Sequence, residues 1–166
     1  MSAIVQASPT ALQPVVGSAI TWSRDFAVFG ALLPVASLLP TMPPYLGGNL
    51  AMLSLACAVF GGVLGAATPR ALNWVRGKVP ISLLVVAATT IGAASGMFAG
   101  FFAGQDLAFW GVVVQGPMFG LVWLPYTMAT VLGRRAWPVL AVGLLAAAPV
   151  TAAVIGLLNL GMMLIA

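Results

Sequence analysis

Few side chains in this sequence can do acid–base, nucleophilic or metal chemistry. The 166 residues include two carboxylates (Asp25 and Asp106), one thiol (Cys57), no Glu and no His. Histidine-ligated metals, histidine bases and cysteine-pair sites are closed to the chain acting alone. One cysteine forms no internal disulfide, and Cys57 reads as a packed apolar residue. The expectation is therefore no enzyme, no metal and no cofactor.

The side chains that remain are polar but not acidic, and they sit inside apolar runs. Gln115-Gly116-Pro117 is followed by Tyr126 and Thr130. Pro117 cannot donate to the carbonyl of Val113, so a kink or local break is expected there. At 100° per residue Gln115 and Tyr126 fall near one helix face, with Thr130 on its flank. Broken helices with polar groups near mid-membrane mark solute sites in transporters. Gln115, Pro117, Tyr126 and Thr130 are the candidate polar site. Ordinary interhelical hydrogen bonds are the plainer account of the same residues.

A second pattern is built from glycine. Gly92, Gly96, Gly100 and Gly104 recur every four residues, the spacing of a glycine zipper, and Gly61 and Gly65 offer a matching groove upstream. Positions four apart lie on one helical stripe. A stripe without side chains lets another backbone approach closely, and within lipid such fit, not hydrophobicity, holds helices together. The partner is expected to be helix two or four of the same chain, or a helix of another subunit.

Composition fixes the solvent. Charged residues make up 5% and the apolar set 62% of the chain, against about 25% charged in soluble domains. Eight charges cannot cover a water-facing surface. The fold class is all-α, a polytopic transmembrane bundle. Uncharged runs at Phe26–Met42, Gly48–Thr68, Ile81–Gly104, Leu107–Gly133 and Ala136–Ala166 read as five spanning helices against the roughly 20 residues a bilayer needs, the first being short and the last long enough to tilt. Residues 1–25 read as an N-terminal tail with an interfacial segment, and 26–166 as the transmembrane domain.

Breaker clusters separate the runs: Thr41–Gly48, Thr68-Pro69-Arg70 to Lys78-Val79-Pro80, Gln105-Asp106, and Arg134-Arg135 to Pro138. The tight Gln105-Asp106 turn predicts an antiparallel hairpin of helices three and four. Arg24, Arg70, Arg76, Lys78, Arg134 and Arg135 all fall on one side of a five-helix chain. The positive-inside bias then places the N-terminus inside and the C-terminus outside.

Arg24 and Asp25 sit before the first run. The expected reading places them at the inner interface, after an apolar segment from Pro14 to Trp22. The alternative is one helix from Pro14 to Met42 that carries both into the membrane. Sequence neighbours point about 100° apart, which argues against their pairing. With Asp25 at the interface, as expected, no carboxylate lies in the membrane to couple transport to protons. Trp22, Trp74, Trp110 and Trp137 are expected at headgroup level, with Trp123 in packing or lipid contact. Thr89, Thr90, Ser95 and Thr151 should bond back to backbone carbonyls.

The net charge of +4 is explained by these short basic connections, so no nucleic-acid partner is expected. The first 23 residues contain no Lys or Arg and are interrupted by Pro9 and Pro14, so no cleavable signal is expected. The small loops fit a bacterial inner (cytoplasmic) membrane. The leading functional expectation is a non-catalytic accessory or scaffolding subunit, seated through its glycine grooves. Its partners would be membrane lipids and other membrane subunits or itself. The alternative is a small-solute permease or channel, or the membrane component of a multisubunit transporter.

Overall fold

In a computed structural model, residues 18–38, 47–75, 78–103 and 108–165 are described. They form five helices and no strand: α1 (Ala19–Leu38), α2 (Gly47–Val75), α3 (Ile81–Ala103), α4 (Ala108–Val131) and α5 (Trp137–Ile165). Four of them, α2 to α5, are long and apolar enough to cross a membrane. Gly104, the Gln105-Asp106 turn, Arg76 and the tail before Ser18 lie outside the described residues.

α1 differs from the expected first run. It starts at Ala19, where Ser18 caps it by accepting from the Thr21 amide at 3.2 Å, a bond that satisfies one of the orphan donors at a helix start. The helix then runs through Arg24 and Asp25 to Leu38. Both charges therefore lie within it, not before it as expected. α2 likewise continues through Pro69 to Val75 instead of ending near Thr68. α4 remains helical across Pro117 and Pro125, so the expected local break is absent. A transmembrane helix tolerates the lost amide where neighbours and local adjustment absorb it.

α4 ends in a Schellman turn. Gly133 adopts a φ of 66°, its amide bonds Thr130 O at 3.1 Å, and the Arg134 amide bonds Ala129 O at 2.8 Å. The left-handed residue is the glycine, as the missing Cβ favours.

Two antiparallel pairs make the frame. Trp22, Phe26 and Gly30 of α1 stand opposite Gly65, Gly61 and Cys57 of α2. In α3 and α4, Gly96 stands opposite Gly111, Gly92 opposite Gln115 and Phe119, and Thr89 opposite Gly120. Helices three and four thus run antiparallel, as the short connection requires. α5 packs against α1 and α4 through Leu140, Gly143, Ala147 and Thr151. The centre is aromatic: Trp22, Phe26, Phe29, Phe119, Trp123 and Tyr126 are all buried.

This order puts the start of α1 beside the end of α4, with the α2–α3 and α4–α5 connections at the same end. Among the described residues, Arg24, Arg70, Lys78, Arg134 and Arg135 therefore share one end of the bundle. There Lys78 Nζ lies 5.6 Å from the Trp74 ring centroid, within cation–π range.

Candidate functional site

The polar centre is assembled by α1 and α4. Tyr126 Oη donates to Asp25 Oδ2 at 2.8 Å. Arg24 donates to Asp25 Oδ1 from Nε at 3.0 Å and from Nη2 at 2.8 Å. The pairing that the 100° offset argued against does form. The Arg side chain is long enough to lie round its own helix to the neighbouring carboxylate. The two partners differ in setting: the Arg24 side chain is 70% exposed and that of Asp25 only 12%. The pair thus runs from the bundle surface into its interior.

The aromatic rings explain why the carboxylate is held where it is. Trp22 meets Tyr126 edge-on with centroids 4.7 Å apart, and Phe26 meets it edge-on at 4.9 Å. Such edge contacts fix a ring's tilt, which here aims the phenol at α1. Trp22 was expected at headgroup level, yet it is fully buried. Its place at the first full turn of α1, one turn before Phe26, puts it on the face that meets α4. Trp74 and Trp137 are exposed near helix ends. Trp123 packs inward, lining an apolar pocket with Thr68, Leu84 and Phe119.

A cavity of about 220 Å³ opens beside Asp25, lined by Thr21, Trp22, Tyr126, Thr130 and Arg134 among others. Its wall carries a carboxylate, a guanidinium residue and hydroxyls. Thr130 Oγ1 donates back to Tyr126 O at 2.8 Å, which leaves its lone pairs as acceptors. Trp22 Nε1–H is buried without a partner among the described residues, an orphaned donor of the kind that is rare in folded proteins.

The helix register gives the depth of this centre. Gly62 of α2 lies against Ser23 and Ala27, level with Asp25. From Gly62 to Arg70, at about 1.5 Å per residue, is roughly 12 Å, and from Arg70 back to Leu50 roughly 30 Å.

Gln115 belongs elsewhere. It is buried against α3, where Ser95 Oγ shares its proton between Gln115 Oε1 and Gly92 O, both at 2.9 Å. Tyr126 lies three turns further along α4 and faces α1. The sequence placed Gln115 and Tyr126 in one site; the structure divides them between two neighbouring helices. Thr130 stays with Tyr126, and Pro117 lies half-buried near Gln115. Thr89 and Thr90 bond back to Val85 O and Val86 O at 2.9 Å, as expected. Thr151 does not: its Oγ1 is buried without a partner among the described residues.

The glycines face helices of the same chain. A Cβ at Gly61 would meet Phe26 O, at Gly65 Trp22 O, and at Gly96 Gly111 O. At Gly92 it would stand 2.5 Å from Phe119 Cβ. Gly100 lends its backbone, with N 3.4 Å from the Cβ position of Gly111. The sequence reading missed Gly30, whose Cβ position meets Cys57 O, and Gly111, the reciprocal partner of Gly96. Both lie outside the four-residue series that drew notice, and only the register between helices reveals them. Among the described residues no cluster of three His, Cys, Asp or Glu could hold a metal.

Comparison with protein families, curated proteins and solved structures finds no match.

Proposed function

We propose that this integral membrane protein is a small-solute permease, or the membrane component of a multisubunit transporter. In this reading it has five spans, its N-terminus and basic residues on the cytoplasmic side, and its solute site in the cavity beside Asp25. The observation that carries the reading is the buried carboxylate, tied to Arg24 and Tyr126 and lining a 220 Å³ cavity. A charge at mid-bilayer costs about 2.5–3.5 kcal/mol on insertion scales, and intramembrane ionisable groups mark solute and proton paths. If Leu50–Arg70 crosses the roughly 30 Å hydrocarbon core, Asp25 lies well inside it. The sequence alone placed this carboxylate outside the membrane. The fitting solute is small and polar.

The test is uptake into proteoliposomes with and without an imposed proton gradient, using a panel of small polar solutes. Uptake above that of empty vesicles, abolished by Asp25→Asn, supports the proposal. Uptake no different from empty vesicles for the whole panel overturns it.

The second reading, an accessory subunit of a larger membrane complex, is favoured by the far half of α5. From Leu157 to Ile165 its large apolar side chains are exposed, and Gly156 and Gly161 have nothing within 4 Å. The glycine contacts within the chain favour an internal packing role for the zipper and leave α5 as the docking element. Mild-detergent extraction that yields a complex much heavier than the 16.9 kDa chain supports this reading. A lone active monomer counts against it.

A further inference from the structure

Away from the polar centre, a cleft of about 390 Å³ lies between α4 and α5, lined by Leu121, Pro125, Pro138, Val142, Ala146 and Val150 among others. The cause is local. Pro125 and Pro138 carry compact rings where long side chains would otherwise meet, and Gly143 at the cleft floor has no side chain at all. The wall has no charged residue. On α5 the cleft runs from Pro138 to Val150, which at 1.5 Å per residue is about 18 Å. That is close to the depth of one leaflet of a hydrocarbon core about 30 Å thick.

The head of the cleft is cationic. Pro138 lies in the first turn of α5, next to the α4–α5 connection, which presents Arg134 and Arg135, both exposed. Among the described residues neither makes an ion pair, since the one acidic side chain, Asp25, is taken by Arg24. The Schellman turn at Gly133 joins this connection to the end of α4, so Arg135 stands three residues before Pro138 of the cleft wall, and Arg134, beside it, also borders the cavity at Asp25.

We propose that the α4–α5 cleft is a binding site for one anionic phospholipid of the leaflet at the basic end. One acyl chain lies along the cleft from Pro138 toward Val150, and the headgroup phosphate meets Arg134 and Arg135. Charge complementarity selects the headgroup: basic residues beside a membrane helix attract anionic lipid, and guanidinium groups match phosphate oxygens. Length and apolarity select the chain. A soluble phosphate compound satisfies the head of the site alone.

Native mass spectrometry of the full chain in mild detergent tests this, with phosphatidylglycerol, phosphatidylcholine and glycerol phosphate as probes. Wild type is expected to retain one phosphatidylglycerol at least about tenfold more tightly than phosphatidylcholine, with no displacement by excess glycerol phosphate. The double variant Arg134→Gln/Arg135→Gln is expected to lose the preference while keeping weak binding of both lipids. Val142→Trp, at an exposed wall position, is expected to lose both, and unchanged helical circular dichroism verifies its fold. Equal retention of the two lipids by wild type overturns the site. So does a preference that survives the double Gln change, or displacement by glycerol phosphate. None of these outcomes depends on Asp25 or on solute uptake.

Discussion

Tyr126→Phe isolates the hydrogen bond that ties α1 to α4. The substitution deletes one oxygen and leaves the ring, so the edge contacts to Trp22 and Phe26 survive. What is lost is a donor 2.8 Å from Asp25 Oδ2. In water-soluble proteins a hydrogen bond to a charged group contributes about 1.5–3 kcal/mol. Interhelical bonds in membrane proteins average about 0.6 and reach about 1.7 kcal/mol, because the unfolded chain also finds partners in the membrane. Here the acceptor is a carboxylate, 9% exposed as a residue, whose other oxygen alone is held by Arg24. The upper end applies, and the expected cost is about 1.5 kcal/mol, roughly a tenfold loss in the folded-to-unfolded ratio. The assay is equilibrium unfolding in mixed micelles of rising denaturing-detergent fraction, read by tryptophan fluorescence and circular dichroism. A double-mutant cycle with Asp25→Ala removes effects private to either residue. A coupling energy of about 1 kcal/mol or more is expected. Coupling within about 0.3 kcal/mol of zero would mean the bond contributes nothing to stability, and the account of the polar centre as a helix tie would fall.

Two other predictions follow from the helix register. Gly96→Ala sets a methyl group against the Gly111 carbonyl, whose carbon lies 2.6 Å from the added Cβ. Forcing the backbones apart should cost about 1–3 kcal/mol. Gly156→Ala and Gly161→Ala meet nothing and should be neutral or gain up to about 1 kcal/mol from helix propensity; thermal melts that reverse this order refute the packing argument. Single cysteines at Lys78 and Arg135, in a Cys57→Ala background, should react with an impermeant thiol reagent from one membrane side and Met163→Cys from the other. Labelling of Lys78→Cys and Arg135→Cys from opposite sides would show that the basic connections do not share a face of the membrane.

Much of the fold was legible in the residues taken one stretch at a time. The lack of charge dictates a lipid solvent. Lipid in turn obliges each backbone segment to satisfy its own hydrogen bonds, so apolar runs become helices. Gly133 before Arg134-Arg135 marks the end of α4, and parity along the chain gathers the basic residues at one end. These are properties of local segments, independent of which helix meets which. Tyr126 and Thr130 could be singled out for the same reason, as polar groups in an apolar run.

The tertiary structure decided what depends on rotation and register between helices. These helices are apolar on nearly all sides, so the sequence carries little signal for which face turns inward. Asp25 and Tyr126 are 101 positions apart, and only the packing of α1 against α4 brings them into contact. The same packing buries Trp22 against Tyr126, while α3 against α4 turns Gln115 toward Ser95 and sets Gly111 against Gly96 O, and α1 against α2 sets Gly30 against Cys57 O. Sequence spacing names the small and polar residues on a helix, while steric fit between backbones chooses their partners.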